Sequence, residues 1–144
     1  MIMTESMEDY LEAIYEICKL SRVARVKQIS ERMGVTNASV VGALRVLREK
    51  GLIEQERYGY IRLTKSGRER ARCVANRHQA LAEFFQDVLG ISRSQAEQDA
   101  CKAEHNLGAE TIGRLILLKE FLAVSGSSRK EGMNKFKKFI EERE

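Results

Sequence analysis

The sequence contains no proline and no long uninterrupted run of apolar residues. Because proline breaks helix interiors, its absence allows regular helices to follow one another along most of the 144 residues. A membrane span needs about 18 consecutive apolar residues, and no stretch approaches that length. The N-terminus turns acidic at Glu5, Glu8 and Asp9, which argues against a secretory signal peptide. We therefore expect a cytoplasmic protein without a membrane partner.

Cysteine and histidine are scarce. There are three cysteines. An odd number of cysteines in a small chain expected to be cytoplasmic argues against a disulfide framework. There are only two histidines, His78 and His105, so any site that uses imidazole depends on them. The net charge of +4 and the pI near 9.0 permit nucleic-acid binding without establishing it.

A thiol, a carboxylate and an imidazole occur close together near position 100. Cys101, Glu104 and His105 are spaced i, i+3 and i+4, so a helix starting near Ser92 and ending at Gly108 would place them on one face. This combination is typical of a transition-metal site. The alternative is a surface helix with a half-buried cysteine and a solvated Glu–His pair, and the spacing alone leaves both possibilities open.

An amphipathic helix is predicted from about Thr4 to Leu20, with Met7, Leu11, Ile14 and Cys18 on its apolar face. Asp9 and Glu12 lie three residues apart and are neighbours on the helix surface. Both also have ordinary interpretations. Asp9 would suit a capping arrangement with Ser6, and Glu12 would suit a solvated helix face.

The next segment predicts a winged helix-turn-helix. Val26–Met33 and Asn37–Lys50 are predicted helices joined by a turn at Gly34, and two short strands follow at Leu52–Glu56 and Tyr60–Leu63. A recognition helix places its N-terminal residues on base edges, and exposed arginines suit phosphates. The wing residues can reach either the DNA backbone or the minor groove. The alternative is a protein–protein module on the same fold. The predicted DNA-contacting residues are Thr36, Asn37, Ala38, Ser39, Gly42, Arg45, Arg48, Arg57, Tyr58 and Tyr60.

The sequence from Thr64 onward predicts further helices. Thr64 caps a long helix reaching about Leu89, and its apolar stripe includes His78, which is either a core histidine or a ligand. A further helix is predicted at Ala109–Ala123. Two adjacent helices here have more apolar surface than one small domain can bury, which predicts a dimer interface. Ser125–Ser128 predicts a flexible break before a charged terminal helix. The predicted fold is mainly α, with a winged helix-turn-helix DNA-binding domain at 1–72 and a helical dimerisation and metal-binding domain at 73–144.

Several segments together resemble one family. MTESMEDYLEAIYEI, the helix-turn-helix, YGYIRLTKSGRERA, RHQALAEFF and DACKAEHNL are similar, in order and spacing, to the metal-dependent repressors of the diphtheria-toxin-repressor and manganese-transport-regulator family. The resemblance covers about residues 3 to 124. It implies a member that lacks the third, SH3-like domain.

The resemblance also implies a set of metal ligands. The manganese-type members carry a carboxylate at the position of Cys101, whereas the iron-type members carry methionine at that of Asp9, so this set is a hybrid. It favours Fe(II), then Mn(II), with Zn(II) or Co(II) possible. Ala82 and Glu97 stand at altered ancillary positions, and a second metal at Glu12, His78 and Glu97 is a weaker expectation. The implied ligands are Asp9, Glu12, His78, Cys101, Glu104 and His105.

The expected protein is a homodimeric, metal-activated repressor that binds a palindromic operator in double-stranded DNA and regulates divalent-metal homeostasis. Two rival functions remain. A thiol-based redox regulator on the same fold would use Cys101, with Cys73 as a second thiol. A small metal-dependent hydrolase would need a second catalytic constellation, and the sequence offers none, so we expect no enzyme activity.

Overall fold

A computed structural model describes residues 3–57, 59–124 and 129–143. The chain divides into two compact units, residues 1–75 and 76–144, and each is described by itself. The predicted flexible break at Ser125–Ser128 lies outside the described residues. The elements are α1 Glu5–Ser21, α2 Val26–Met33, α3 Asn37–Glu49, β1 Ile53–Gln55, β2 Ile61–Leu63, α4 Lys65–Asp87, α5 Arg93–Ala103, α6 Ala109–Val124 and α7 Arg129–Glu141.

The first unit has a continuous apolar core formed by α1, α2, α3 and the two strands. The helices turn one apolar face inward because their large side chains recur every three or four residues. In α1 these include Leu11 and Ile14, which are fully buried, while Cys18 is half-buried against the core. The predicted apolar stripe of α3 is confirmed, with Val40, Ala43, Leu44 and Leu47 buried.

Threonine hydroxyl groups cap the N-termini of the three helices α1, α3 and α4. The Thr4 hydroxyl accepts a hydrogen bond from the Met7 backbone N–H at 3.3 Å, so Thr4 and not Ser6 is the N-cap of α1. Thr36 caps α3 in the same way. Thr64 begins α4: its hydroxyl accepts from the Gly67 N–H at 3.0 Å and donates to the Gly51 carbonyl at 2.7 Å. These caps determine where α1, α3 and α4 start.

The wing is a short antiparallel hairpin. Ile53 pairs with Leu63 and Gln55 with Ile61, so each strand has three residues and is shorter than predicted. Ala24, between α1 and α2, extends the sheet through a bridge to Ile61, with N–O distances of 2.9 and 2.8 Å. The hairpin is thereby attached to the segment that precedes the helix-turn-helix.

The second unit has a smaller core around Leu81, Ala82 and Ala100. The prediction that the helix after Ser92 runs to Gly108 is wrong, because α5 ends at Ala103. The backbone N–H groups of Asn106 and Leu107 both donate to the Ala103 carbonyl, which tightens the chain into a turn. Glu104 therefore caps the helix, and His105 lies beyond it.

The outer side of α6 is apolar and exposed, as predicted for an interface. Phe121 is 65% exposed and Leu117 is 58% exposed, and Ile116, Leu118 and Leu122 are also exposed. Among the residues that the structure describes, no helix combines the length and the apolar character needed to cross a membrane.

Candidate functional site

The recognition helix α3 presents its N-terminal residues to solvent, while the opposite side packs into the core. Exposure of polar and small residues at this end is what base contacts in a major groove require. The predicted contact residues that are exposed on and just before α3 are Thr36, Asn37, Ala38, Ser39, Gly42, Arg45 and Arg48.

Thr36 is engaged within the protein. Its hydroxyl accepts from the Ser39 N–H at 3.2 Å and lies 2.9 Å from the Ser39 hydroxyl. Asn37 has no such structural role in the described part of the chain, and it is exposed. Asn37 is therefore the clearer candidate for direct contact with DNA, since an asparagine amide can form two hydrogen bonds with adenine.

The wing carries two of the predicted residues within the described ranges. Arg57 is exposed and Tyr60 is partly buried, while Tyr58 lies outside the described residues. Arg25, at the start of α2, donates to the Tyr60 hydroxyl at 3.0 Å, and its guanidinium lies 4.9 Å from the centre of the ring. Sequence spacing did not reveal Arg25, because it precedes Tyr60 by 35 positions.

The first helix holds the two acidic residues predicted as ligands. Asp9 and Glu12 are both partly buried on α1. Glu8, which was not predicted to have a specific role, is almost fully buried, and its carboxylate lies 3.6 Å from the Arg70 guanidinium. Glu8 therefore forms an ion pair inside the first unit.

The second unit brings three of the predicted ligands together. The Glu104 side chain is fully buried. Its Oε2 lies 2.8 Å from Nδ1 of His78, and its Oε1 lies 3.1 Å from Nε2 of His105. The His105 side chain is only 3% exposed, and that of His78 is 24% exposed. Two imidazoles thus flank one buried carboxylate.

The geometry around Glu104 tests whether a metal ion fits. Both carboxylate oxygens are buried, and neither has a hydrogen-bond partner of acceptable geometry in the described part of the chain. The imidazole nitrogens are close enough to Glu104 for hydrogen bonds but are not oriented for them. A buried carboxylate without hydrogen bonds is unfavourable, whereas a bound cation would satisfy it. The residues therefore fit a divalent metal.

The second imidazole nitrogen of His78, Nε2, contacts a different carboxylate, that of Glu97. Nε2 lies 2.7 Å from Oε2 of Glu97, at hydrogen-bonding distance and geometry. In metal sites, a carboxylate on the second imidazole nitrogen fixes the ring orientation and tautomer. The Cys101 side chain, by contrast, is exposed, although Cys101 lies on α5 one turn before Glu104.

These observations define a class of protein. A winged helix-turn-helix with an exposed recognition helix is a DNA-binding architecture, and the helical unit carries a buried carboxylate between two imidazoles, suited to a metal ion. The chain is thus a DNA-binding protein of the metal-responsive class.

Comparison with known proteins specifies the family. Residues 2–61 match the family described as "Iron dependent repressor, N-terminal DNA binding domain", and residues 64–130 match "Iron dependent repressor, metal binding and dimerisation domain". The chain therefore belongs to the iron-dependent repressor family, also called the DtxR/MntR family of metal-dependent transcriptional repressors. The members of this family are transcriptional regulators.

Relatives of known sequence cover most of the chain. It is 31% identical over 119 residues to an uncharacterized HTH-type transcriptional regulator of Methanocaldococcus jannaschii, covering 82% of this chain and 95% of the relative. It is 30% identical over 128 residues to the HTH-type transcriptional regulator MntR of Bacillus velezensis, covering 89% of each.

Solved structures show the same fold. A T. acidophilum IdeR has a TM-score of 0.69 at 29% identity, and a manganese-dependent transcriptional repressor in complex with manganese has a TM-score of 0.73 at 28% identity. The matches cover 82% and 80% of this chain. This chain spans little more than half of those structures, 55% and 53% respectively.

Proposed function

We propose that this protein is a homodimeric repressor of divalent-metal homeostasis genes that binds its operator when Fe(II) or Mn(II) is bound. The observation that carries the proposal is the buried Glu104 carboxylate between the imidazoles of His78 and His105. Carboxylate oxygen and imidazole nitrogen together suit both ions. One relative of known structure is named as manganese-dependent, which is in line with this chemistry.

The proposed ligand set is wider than these three residues. It adds Asp9 and Glu12 of α1 and Cys101 of α5, on the basis of the family resemblance. The thiolate of Cys101 favours softer ions than Mn(II) and is the residue in the set that selects between metals. A bound cation would supply positive charge to offset the proposed carboxylate and thiolate ligands. Because the proposed ligands come from both halves of the chain, we propose that sharing one ion makes DNA binding depend on metal.

The proposed operator is palindromic. A homodimer presents two copies of α3 related by a two-fold axis, so each recognition helix reads one half-site. The half-sites are expected about one helical turn of DNA apart, or a multiple of it. The repressed genes are expected to encode divalent-metal uptake.

The central test measures binding to a palindromic fragment from the gene's own upstream region. Chelated protein is compared anaerobically with protein supplied with Fe(II), Mn(II) or Zn(II), for the wild type and Cys101→Ala. We expect metal to raise DNA affinity by about 10-fold or more, the common range of coupling between two ligands. We expect Cys101→Ala to change which metal raises DNA affinity most, because the substitution removes the soft thiolate ligand.

Cys73→Ala is the matched control, because Cys73 is also an exposed thiol but is not a proposed ligand. For Cys73→Ala, the three metals are expected to raise DNA affinity in the same order as for the wild type. Equal DNA affinity with and without metal would contradict the proposal. If that affinity then changed on oxidation in a manner that Cys101→Ala abolished, the thiol-based regulator would replace it.

A further prediction separates base contact from helix capping in α3. Asn37→Ala is expected to lower affinity for the operator by about 1–3 kcal/mol, the contribution of one good pair of hydrogen bonds to a base. Its affinity for unrelated DNA and its thermal unfolding are expected to stay nearly unchanged, because the Asn37 side chain is exposed. Fluorescence anisotropy on operator and scrambled duplexes measures both affinities.

Thr36→Ala provides the comparison for Asn37→Ala. It removes the N-cap hydrogen bond to Ser39 and is expected to cost about 1 kcal/mol of stability. If Asn37→Ala weakened binding to operator and scrambled DNA equally, direct base reading by Asn37 would be refuted.

A further inference from the structure

A basic groove lies in the first unit, and none of its lining residues is among those predicted to contact DNA. It has a volume of about 550 Å³ and is partly open to solvent. Four of its seven lining residues are cationic, and a phenol and a thiol lie among them. The lining residues are Tyr15, Cys18, Lys19, Arg22, Arg62, Leu63 and Arg68.

The charges of this groove are only partly balanced. The Lys19 ammonium lies 2.9 Å from the Glu16 carboxylate, and the Arg62 guanidinium lies 3.2 Å from the Glu56 carboxylate. In the described ranges 3–57, 59–124 and 129–143, neither Arg22 nor Arg68 forms an ion pair with a carboxylate. Two guanidinium groups therefore face the groove without internal neutralisation.

The backbone at Arg22, on the wall of the groove, has an unusual conformation. Arg22 follows α1 with φ of 63°, and among the described residues it is the only non-glycine residue with positive φ. Glycine adopts this conformation at the end of a helix without steric cost, whereas a side chain is strained there. A long cationic side chain at a strained position is consistent with a role for that side chain beyond ending the helix.

The pKa of the half-buried Cys18 thiol agrees with the position of Arg68 in the wall of the groove. Burial raises the pKa of Cys18, and the positive charge of Arg68 acts against that rise. Arg68 is therefore close enough to the groove wall to act on a group within it. The thiol stays largely protonated and does not compete for the arginines as an anion.

We propose that this groove binds a phosphate group, with Arg22 and Arg68 as its principal ligands. A guanidinium offers a planar fork of N–H donors that matches phosphate oxygens, and the Tyr15 hydroxyl adds a further donor. The phosphate belongs either to the DNA backbone or to a free phosphate anion. As a DNA contact, the groove rests on the proposed function and extends the interface beyond α3 and the wing. As a free-anion site, it is independent of that function.

The test uses the full chain and three variants. Arg22→Gly removes the guanidinium and relieves the backbone, while Arg68→Gln removes the second unpartnered charge. Arg72→Gln is the matched control, because Arg72 is exposed on the same helix as Arg68 but does not line the groove. DNA affinity is measured over a range of salt concentrations. In a separate arm, inorganic phosphate is titrated without DNA, and Arg22 and Arg68 side-chain NMR signals are followed.

For a DNA contact, Arg22→Gly and Arg68→Gln are each expected to reduce the slope of log affinity against log salt by about 1. For a free-anion site, both variants are expected to abolish the change in arginine NMR signals on addition of inorganic phosphate and to leave the salt slope of DNA binding unchanged. In either case Arg22→Gly is expected to unfold at the same or a higher temperature than the wild type. Loss of binding together with retained or increased stability would not result from a merely structural role.

If Arg22→Gly and Arg68→Gln behaved like Arg72→Gln in both arms, the proposed phosphate site would be refuted. Failure of the wild type to bind any DNA would instead overturn the proposed function. The inorganic phosphate titration would then still decide whether the groove binds an anion. The two failures are therefore distinguishable.

Discussion

Replacement of Glu104 by glutamine is expected to remove the response of this protein to metal. The Glu104 side chain is fully buried, and its oxygens face the imidazoles of His78 and His105. Glutamine keeps nearly the same shape but loses the negative charge and one oxygen ligand. Loss of an outer partner of a metal ligand typically costs 10- to 100-fold in affinity, so we expect loss of the ligand itself to cost about 100-fold or more.

Stability measured with and without metal gives the sharpest readout of Glu104→Gln. A ligand that binds only the folded state raises its stability, by about 2.7 kcal/mol at 100 times the dissociation constant. The wild type is expected to show such a rise with Mn(II) or Fe(II), and the variant to show little or none. With chelator, the variant is expected to be at least as stable as the wild type, because it buries a neutral amide in place of a charged carboxylate that has no hydrogen bond in the described part of the chain.

Glu110→Gln is the matched control for this experiment. Glu110 is an exposed glutamate in the first turn of α6, so the same chemical change there is expected to leave the metal response intact. The assignment of Glu104 as a ligand fails if Glu104→Gln retains the full metal-induced rise in stability. It also fails if the two variants respond alike.

Replacement of Gly67 by alanine is expected to destabilise the first unit strongly. Gly67 lies in the first turn of α4, and a Cβ built there would lie 1.8 Å from the Leu52 carbonyl oxygen and 2.8 Å from its carbon. The clash cannot be relieved by a side-chain rotation, since both atoms belong to the backbone. The hydrogen bonds from Thr64 to the Gly51 and Leu52 carbonyls hold the two segments together. We expect a loss of about 3 kcal/mol or more in the free energy of unfolding.

Gly42→Ala is the control for Gly67→Ala within the same unit. Gly42 lies in the interior of α3, and a Cβ added there would have no neighbour within 4 Å. Alanine is a better helix former than glycine, so this variant is expected to be more stable by about 0.5–1 kcal/mol. Urea denaturation followed by circular dichroism measures both changes. Equal unfolding midpoints for the two variants would contradict the predicted close packing of α4 on Leu52.

Local sequence patterns predicted the helical elements of the first unit accurately, for a physical reason. The apolar period of α3 places Val40, Ala43, Leu44 and Leu47 on one side whatever the helix packs against, and these residues are buried. Caps such as Thr64 are equally local, because the hydroxyl bonds to an N–H three residues later. The end of α5 was predicted incorrectly, since the turn at Ala103 leaves no strong local signal before Gly108.

The sequence by itself determined the fold class and the chemical types at the candidate site. It supplied two histidines, a carboxylate and a thiol at positions that indicated a metal site, and a helix-turn-helix whose polar start indicated DNA. The fold class and the helix-turn-helix follow from residue type and short-range spacing. For the metal site, spacing alone left an ordinary surface helix equally open, and the resemblance to the metal-dependent repressors implied the ligands.

Only the tertiary structure decided which of these groups meet. His78 lies 26 positions before Glu104, yet one imidazole nitrogen of His78 is 2.8 Å from that carboxylate and the other is 2.7 Å from that of Glu97. The contact of Arg25 with Tyr60 and the unpartnered charges of Arg22 and Arg68 also depend on residues distant in sequence. Burial and electrostatic balance are set by packing between elements, and spacing along one helix carries no information about them.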